Sequence, residues 1–204
     1  MPMKLSEAHH EYMNIGKAYW GADTENFTPK QKKAIAGYLS DLPGMIRSGI
    51  GIYLWGDNSR GKSYIAAALC RKVWADYRVT SYYVTASELK EAWIDDVEAH
   101  PGSSEMMTDR VQEARFLVLD DFGKEHRTSS GFAESKFGAL LRSRKKELLT
   151  TVITSNLDPR EFGEVYGPST KHLMRECMVP IRLKGQDIRE RIAKRIYDVF
   201  QATA

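Results

Sequence analysis

The sequence predicts an α/β fold with a parallel sheet covered on both faces, and three observations carry that reading. Short apolar runs rich in β-branched and aromatic residues alternate with longer runs of good helix formers. One junction between such runs is the glycine-rich stretch Gly56-Asp57-Asn58-Ser59-Arg60-Gly61-Lys62-Ser63, which matches G-x-x-x-x-G-K-[ST]. A third run, Phe116-Leu117-Val118-Leu119, is continuously apolar, as a strand buried on both faces should be, and it ends in paired acids.

The 204 residues suffice for one substantial core, or for one core with a small appendage. A net charge of +3 allows a nucleic-acid partner without arguing for one, so the placement of the charges decides. No apolar run reaches membrane-spanning length, and the polar start Met1-Pro2-Met3-Lys4-Leu5-Ser6-Glu7 holds no secretory segment, so a cytoplasmic protein is expected. Cys70 and Cys177 lie far apart, and neither belongs to a metal-ligand pattern; Cys70 falls among the apolar positions of a helix and reads as core.

In chain order, residues 5–20 carry apolar positions at irregular helical spacing and predict a short amphipathic helix, with His9 and His10 on its solvated face. Residues 21–26 read as a loop. Thr28-Pro29 supplies an N-cap and a first-turn proline to a helix that runs to a break at Pro43-Gly44. Residues 1–45 are thus expected to form a short helical arm, and 46–204 the main domain. Gly51-Ile52-Tyr53-Leu54-Trp55 is a strand, and the run from Tyr64 to Trp74 is a helix. A second strand is expected over 78–84, then a capped helix from Ser87 ended by His100-Pro101-Gly102-Ser103-Ser104. After the strand at Phe116 come a long helix over about 131–148, a strand over 151–154, a helical stretch near 171–177, a strand over 179–183 and a last helix over 188–200.

Strand, glycine loop and helix in that order form a phosphate-binding loop. The glycines let backbone N–H groups wrap an anion, and the helix N-terminus adds its positive dipole end. Gly56, Asp57, Asn58, Ser59, Arg60, Gly61, Lys62, Ser63 and the following Tyr64 are the candidate nucleotide contacts, with Lys62 reaching the β- and γ-phosphates and Ser63 ligating Mg²⁺. Asp120, at the carboxyl end of its strand, is the second metal-side residue; Asp121 would orient or activate the attacking water. Asn156 follows another buried strand and is placed to bond that water or the γ-phosphate. ATP and Mg²⁺ are the expected ligands.

Taken together, the phosphate loop, Leu119-Asp120-Asp121-Phe122-Gly123-Lys124-Glu125 and Ile153-Thr154-Ser155-Asn156-Leu157 resemble the AAA+ ATPase core of bacterial and phage helicase loaders of the DnaC and DnaI type, with IstB-type transposition ATPases as near relatives. The resemblance runs from about residue 19 to 189. It implies a P-loop NTPase three-layer α/β/α fold, strand order 5-1-4-3-2, without a full helical lid. It also implies ATP-dependent self-association into an oligomer in which an arginine of one subunit completes its neighbour's site. Arg175 matches that arginine, and Arg189 and Arg191 are weaker matches to a second sensor. The expected partners are a replicative DNA helicase and single-stranded DNA, with no membrane. The sequence departs from full-length loaders in its short N-terminal arm, which lacks a zinc-ligand set. Asp121 stands where many AAA+ proteins have Glu, and its shorter reach implies slow hydrolysis.

Arg142-Ser143-Arg144-Lys145-Lys146 and the segment with Arg182, Lys184, Arg189, Arg191, Lys194 and Arg195 are basic enough to track a phosphate backbone if they converge, although basic residues at a helix C-terminus also complement its dipole. Tyr82 and Tyr83 suit either base stacking or, as strand tyrosines more commonly do, a core. Against the helicase-loader reading stand an IstB-like helper acting on duplex DNA, a small-molecule P-loop kinase, and a nucleotide-gated adaptor that barely turns ATP over.

Overall fold

A computed structural model of the protein describes residues 3–97, 105–123 and 131–184. Five strands form one sheet: β1 (Gly51–Trp55), β2 (Ser81–Thr85), β3 (Phe116–Phe122), β4 (Thr150–Ser155) and β5 (Met178–Arg182). Their order is β2-β3-β4-β1-β5 and every pairing is parallel, which is the expected 5-1-4-3-2 order read from the other edge. Parallel pairing requires crossovers, and helices supply them on both faces.

The two-residue period of the strands sorts the core into two halves. Ile52, Leu54, Val118 and Val152 face one side, and Tyr53, Leu117, Leu119 and Ile153 the other. Under the first face lies α4 (Lys62–Tyr77), whose Ile65 to Cys70 are all buried. The N-terminal residues share that same cluster: Met13, Ile15, Ala22 and Phe27 enter it, as do Ile35 and Tyr38 of α2 (Pro29–Leu39) and Leu42 and Ile46 of α3 (Leu42–Arg47). The second face is covered by α5 (Ala86–Val97), α6 (Glu105–Glu113), α7 (Phe132–Lys146), α8 (Pro159–Tyr166) and α9 (Pro168–Cys177). Here Phe122, Phe137, Phe162 and Tyr166 form a run of ring contacts with centroids 4.3 to 5.8 Å apart.

Several boundaries differ from expectation, each for a local reason. The amphipathic stretch shortens to α1 (Glu7–Tyr12) and a 3₁₀ turn at Lys17–Tyr19, because Asn14 takes φ 56° and ends the helix. A second 3₁₀ turn, Thr24–Asn26, sits in the expected loop, capped by the Asp23 side chain. The break comes before Pro43-Gly44: α2 ends at Leu39, Asp41 caps the Gly44 N–H, and Pro43 lies in the first turn of α3. β2 starts at Ser81 because Arg78, at φ 57°, terminates α4 instead of opening the strand. The short polar helices α6 and α8 were not expected. The expected helix end at His100 to Ser104 and the last helix over 188–200 lie outside the described residues.

Two expectations about basic residues also change, and the strand tyrosines take the core role expected to be the commoner one. His10 is buried rather than solvated: its Nδ1 lies 2.8 Å from Ser6 O, Nε2 accepts from Arg71 Nε at 3.1 Å, and its ring stacks on Trp20 at 5.0 Å. Arg144 is wholly buried and cannot meet a phosphate backbone. Tyr82 and Tyr83 are core residues.

Edge strand β2 is partly covered by the N-terminal segment, where Tyr83 N donates to Met13 O at 2.8 Å and Asn14 Nδ2 to Tyr83 O at 2.9 Å. At the opposite edge, β5 carries Pro180, which withholds a donor from any further strand.

Candidate functional site at the carboxyl ends of three adjacent strands

Because all strands run the same way, their carboxyl ends share one edge of the sheet, where ligands of open α/β sheets bind. The phosphate loop leaves β1, Asn156 follows β4 directly beside it, and the acids close β3 on the far side of β4. Sheet order therefore brings the three predicted motifs together.

The loop has the backbone that the motif requires. Gly61 takes φ 83° as it N-caps α4, so the first amides of the helix face the loop. Gly56 takes φ 138°, and a Cβ there would stand 2.5 Å from Leu183 O. Ser59 holds φ 60° without being glycine, a strain of the kind that collects at functional sites. Lys62 is 6% exposed and donates to Gly56 O at 2.7 Å, Asp57 O at 2.8 Å and Asn156 Oδ1 at 2.7 Å. Its ammonium thus occupies the hollow of the loop and reaches across to the next strand.

The N-terminal segment buttresses this loop from outside. Thr28 and Gln31 form a capping box, and Gln31 Nε2 also donates to Arg60 O at 3.2 Å. Asp23 N donates to the Tyr64 hydroxyl at 3.3 Å, with the Phe27 ring edge-on at 6.2 Å, and Arg71 Nη1 donates to Ala22 O. Arg60 approaches Asp57 at 3.4 Å, across the mouth of the loop. Tyr64 is thereby engaged with the segment preceding the sheet.

At the end of β3 the ladder slips. Leu119 pairs with Ile153 and Phe122 with Ser155, so Asp120 and Asp121 together oppose Thr154. Asp121 takes φ 60° in this bulge. Asp120, in register with Val118 two residues earlier, projects to the α4 side and is 6% exposed. Thr154 Oγ1 donates to Asp120 Oδ1 at 2.5 Å and accepts from Asp121 N at 2.9 Å. Beside Asp120 lies the Tyr83 phenol, whose pKa is pushed well up by burial first and by the Asp120 carboxylate second.

A hydroxyl at Ser63 and a carboxylate at Asp120 are the hard oxygen donors that suit Mg²⁺. Among the described residues no group of three or more His, Cys, Asp or Glu gathers to hold a metal. Such a sparse set fits an ion carried largely by nucleotide phosphates and water rather than by a protein cage.

Arg175 stands apart from this constellation. It lies exposed in the last turn of α9, while Leu173, Met174 and Cys177 of the same helix are buried. Arg189 and Arg191 lie outside the described residues. Thr154 and Gln31 were missed from sequence. A threonine at an inward register position of an apolar strand is the signal that Thr154 offers, and Gln31 three residues after Thr28 is the capping-box signal.

No family model matches the chain. The replicative helicase loader DnaI of Bacillus subtilis (strain 168) is 28% identical over 153 residues, a match that takes in 69% of this chain and 48% of that protein. The chain resembles helicase loaders of the DnaC and DnaI type. It spans about half the length of the curated relative it matches. A crystal structure of the DnaC helicase loader superposes with a TM-score of 0.72 at 18% identity, covering 83% of this chain and all (100%) of that one. A structure of the replication initiator DnaA bound to AMPPCP and single-stranded DNA gives a TM-score of 0.64 at 14% identity, covering 90% of this chain and 56% of that one. The chain shares the fold of these DnaC and DnaA structures. Among the described residues no helix is long and apolar enough to cross a membrane.

Proposed function

We propose that the protein binds and hydrolyses ATP and acts in DNA replication as a DnaC/DnaI-like loader, delivering a replicative helicase to single-stranded DNA. The observation that carries this reading is the Lys62–Asn156 contact at 2.7 Å, which ties the phosphate loop to the strand beside the buried Asp120. The AMPPCP bound by DnaA, on the same fold, supports nucleotide binding.

In this reading an incoming triphosphate takes over the Lys62 ammonium from Gly56 O and Asp57 O, and the loop amides and α4 N-terminus hold the phosphate oxygens. Mg²⁺, held through Ser63 and Asp120 and bound to the phosphates, would neutralise charge developing on the transferred group. Asn156 senses that exchange, since its Oδ1 loses a cationic partner when Lys62 turns to phosphate. Asp121 orients the attacking water, and the short reach of Asp makes the chemical step slow. Arg175, exposed in the last turn of α9 just before the amino end of β5, serves the site of a neighbouring subunit, where a guanidinium matches the charge spread over phosphoryl oxygens.

The test is binding to labelled single-stranded and duplex DNA, with and without ATP, with Lys62→Ala as control and a replicative helicase added in parallel. The reading expects ATP-dependent preference for single strands and co-elution with the helicase. Preference for duplex would transfer the assignment to a transposition helper, and binding to neither would leave a kinase or an adaptor. For the shared site, Arg175→Ala and Lys62→Ala subunits, each inactive alone, should regain part of the ATPase activity when mixed; no recovery at any ratio would remove Arg175 from that role.

A further inference from the structure

The geometry points to Thr154 as a positioning residue that sets both acids at the end of β3 through one hydroxyl. This rests on the ATPase reading above and adds to it a residue with no role so far. A threonine hydroxyl has one proton and two lone pairs. Its proton is committed to Asp120 Oδ1 at 2.5 Å, so the Asp121 N–H, at 2.9 Å, must be received on a lone pair. The two bonds therefore fix each other's direction. The first sets the rotation of the Asp120 carboxylate; the second anchors the amide of Asp121 in the φ 60° conformation that it takes in the bulge.

Position follows from register. Thr154 pairs with Leu54 on β1 and stands alone opposite Asp120 and Asp121 of β3, two residues before Asn156. It is wholly buried, and the strand on its other side leads straight into the phosphate loop. A carboxylate in this buried setting, with the Tyr83 phenol beside it, has few orientations, and the Thr154 proton selects one. Outer bonds of this kind typically change activity or metal affinity by about 10–100-fold when removed.

Valine is the discriminating substitution because it keeps the β-branched shape and removes the hydroxyl; serine keeps the hydroxyl and removes the methyl. Wild type, Thr154→Val and Thr154→Ser are compared in three readouts. These are steady-state ATPase parameters, the Mg²⁺ concentration needed for tight binding of a fluorescent ATP analogue, and NMR-detected hydrogen exchange of the Asp121 amide. Thr154→Val should lower kcat by about 10–100-fold, leave KM within about threefold, raise the Mg²⁺ requirement by about tenfold and expose the Asp121 amide to exchange. Thr154→Ser should restore most of each property. A valine variant with wild-type kcat, Mg²⁺ requirement and amide protection would overturn the inference, and so would a serine variant as defective as valine. Were the wild type to bind ATP without hydrolysing it, the ATPase reading would fall by itself, and the Mg²⁺ and amide readouts would still decide for or against Thr154.

Discussion

Two buried cations, Arg144 and Lys62, show how the same degree of burial serves opposite ends. Arg144 is fully inaccessible and donates to Val111 O, Gln112 O, Ala114 O, Thr150 O and Thr151 Oγ1 at 2.8 to 3.2 Å. Its acceptors belong to the end of α6, the turn into β3 and the start of β4, so one side chain on α7 closes four segments together. Burial lowers its pKa to about 9, still far above neutrality, and the guanidinium stays charged. Lys62 also donates to backbone carbonyls, but these lie in its own loop, at the edge of the sheet where a ligand can replace them. Arg144 sits at the amino ends of the strands and Lys62 at the carboxyl ends. A cation whose acceptors are fixed by distant chain segments clamps the fold; one whose acceptors lie in a ligand-binding loop is ready to exchange partners.

The largest expected effect breaks the clamp. Arg144→Met should cost about 3–5 kcal/mol, since it leaves several buried carbonyls without donors, and urea denaturation measures it. Arg144→Lys should recover only part, because one ammonium cannot span acceptors that a planar guanidinium reaches from three nitrogens. Lys62→Ala should be far milder in the same experiment. Equal losses for the two would dissolve the contrast between clamp and exchangeable cation.

A smaller effect sharpens it. His10 accepts from Arg71 Nε through Nε2 while its Nδ1 faces Ser6 O, so the neutral ring with its proton on Nδ1 fits the site. Burial first, then the nearby Arg71 and His9, hold its pKa below the ordinary 6.5 against raising contributions from Ser6 O and Glu7. A lowered folded pKa means that the unfolded chain binds more protons in that range. Stability is therefore full above about pH 6.5 and declines as the pH falls through 6.5 into the lowered folded range. His10→Gln should flatten that decline in thermal melts taken across pH 5 to 8. An unchanged slope would mean that the ring protonates without disturbing its contact to Arg71.

The same contrast explains what the sequence could disclose. Gly56 to Ser63 are contiguous, their spacing encodes their geometry, and the flanking apolar runs mark strand and helix. The placement of Asp120, Asp121 and Asn156 at one edge was legible because each lies at or just past the carboxyl end of a buried strand, and parallel strands place their ends together. Arg144 was illegible because it stands among Arg142, Lys145 and Lys146 in a basic run, and only the packing of α7 against β4 turns that one residue inward. His10 was misplaced for a related reason: α1 is too short to show a periodic face, and its burial comes from Trp20 and Arg71 beyond it. Thr154 joins two strands through a bulge, which no single-strand pattern encodes. The helices α6 and α8 are short and polar enough that tertiary contacts, such as Phe162 and Tyr166 on the ring cluster, decide their existence.

The most direct test of the central claim is an equilibrium titration of a fluorescent ATP analogue against wild type and Lys62→Ala, with and without Mg²⁺. The account predicts saturable, Mg²⁺-enhanced binding by the wild type and a loss of at least about tenfold in affinity for Lys62→Ala, with both proteins equally folded. Equal affinity in the two would show that the Lys62 ammonium, poised between Gly56, Asp57 and Asn156, is not waiting for a phosphate.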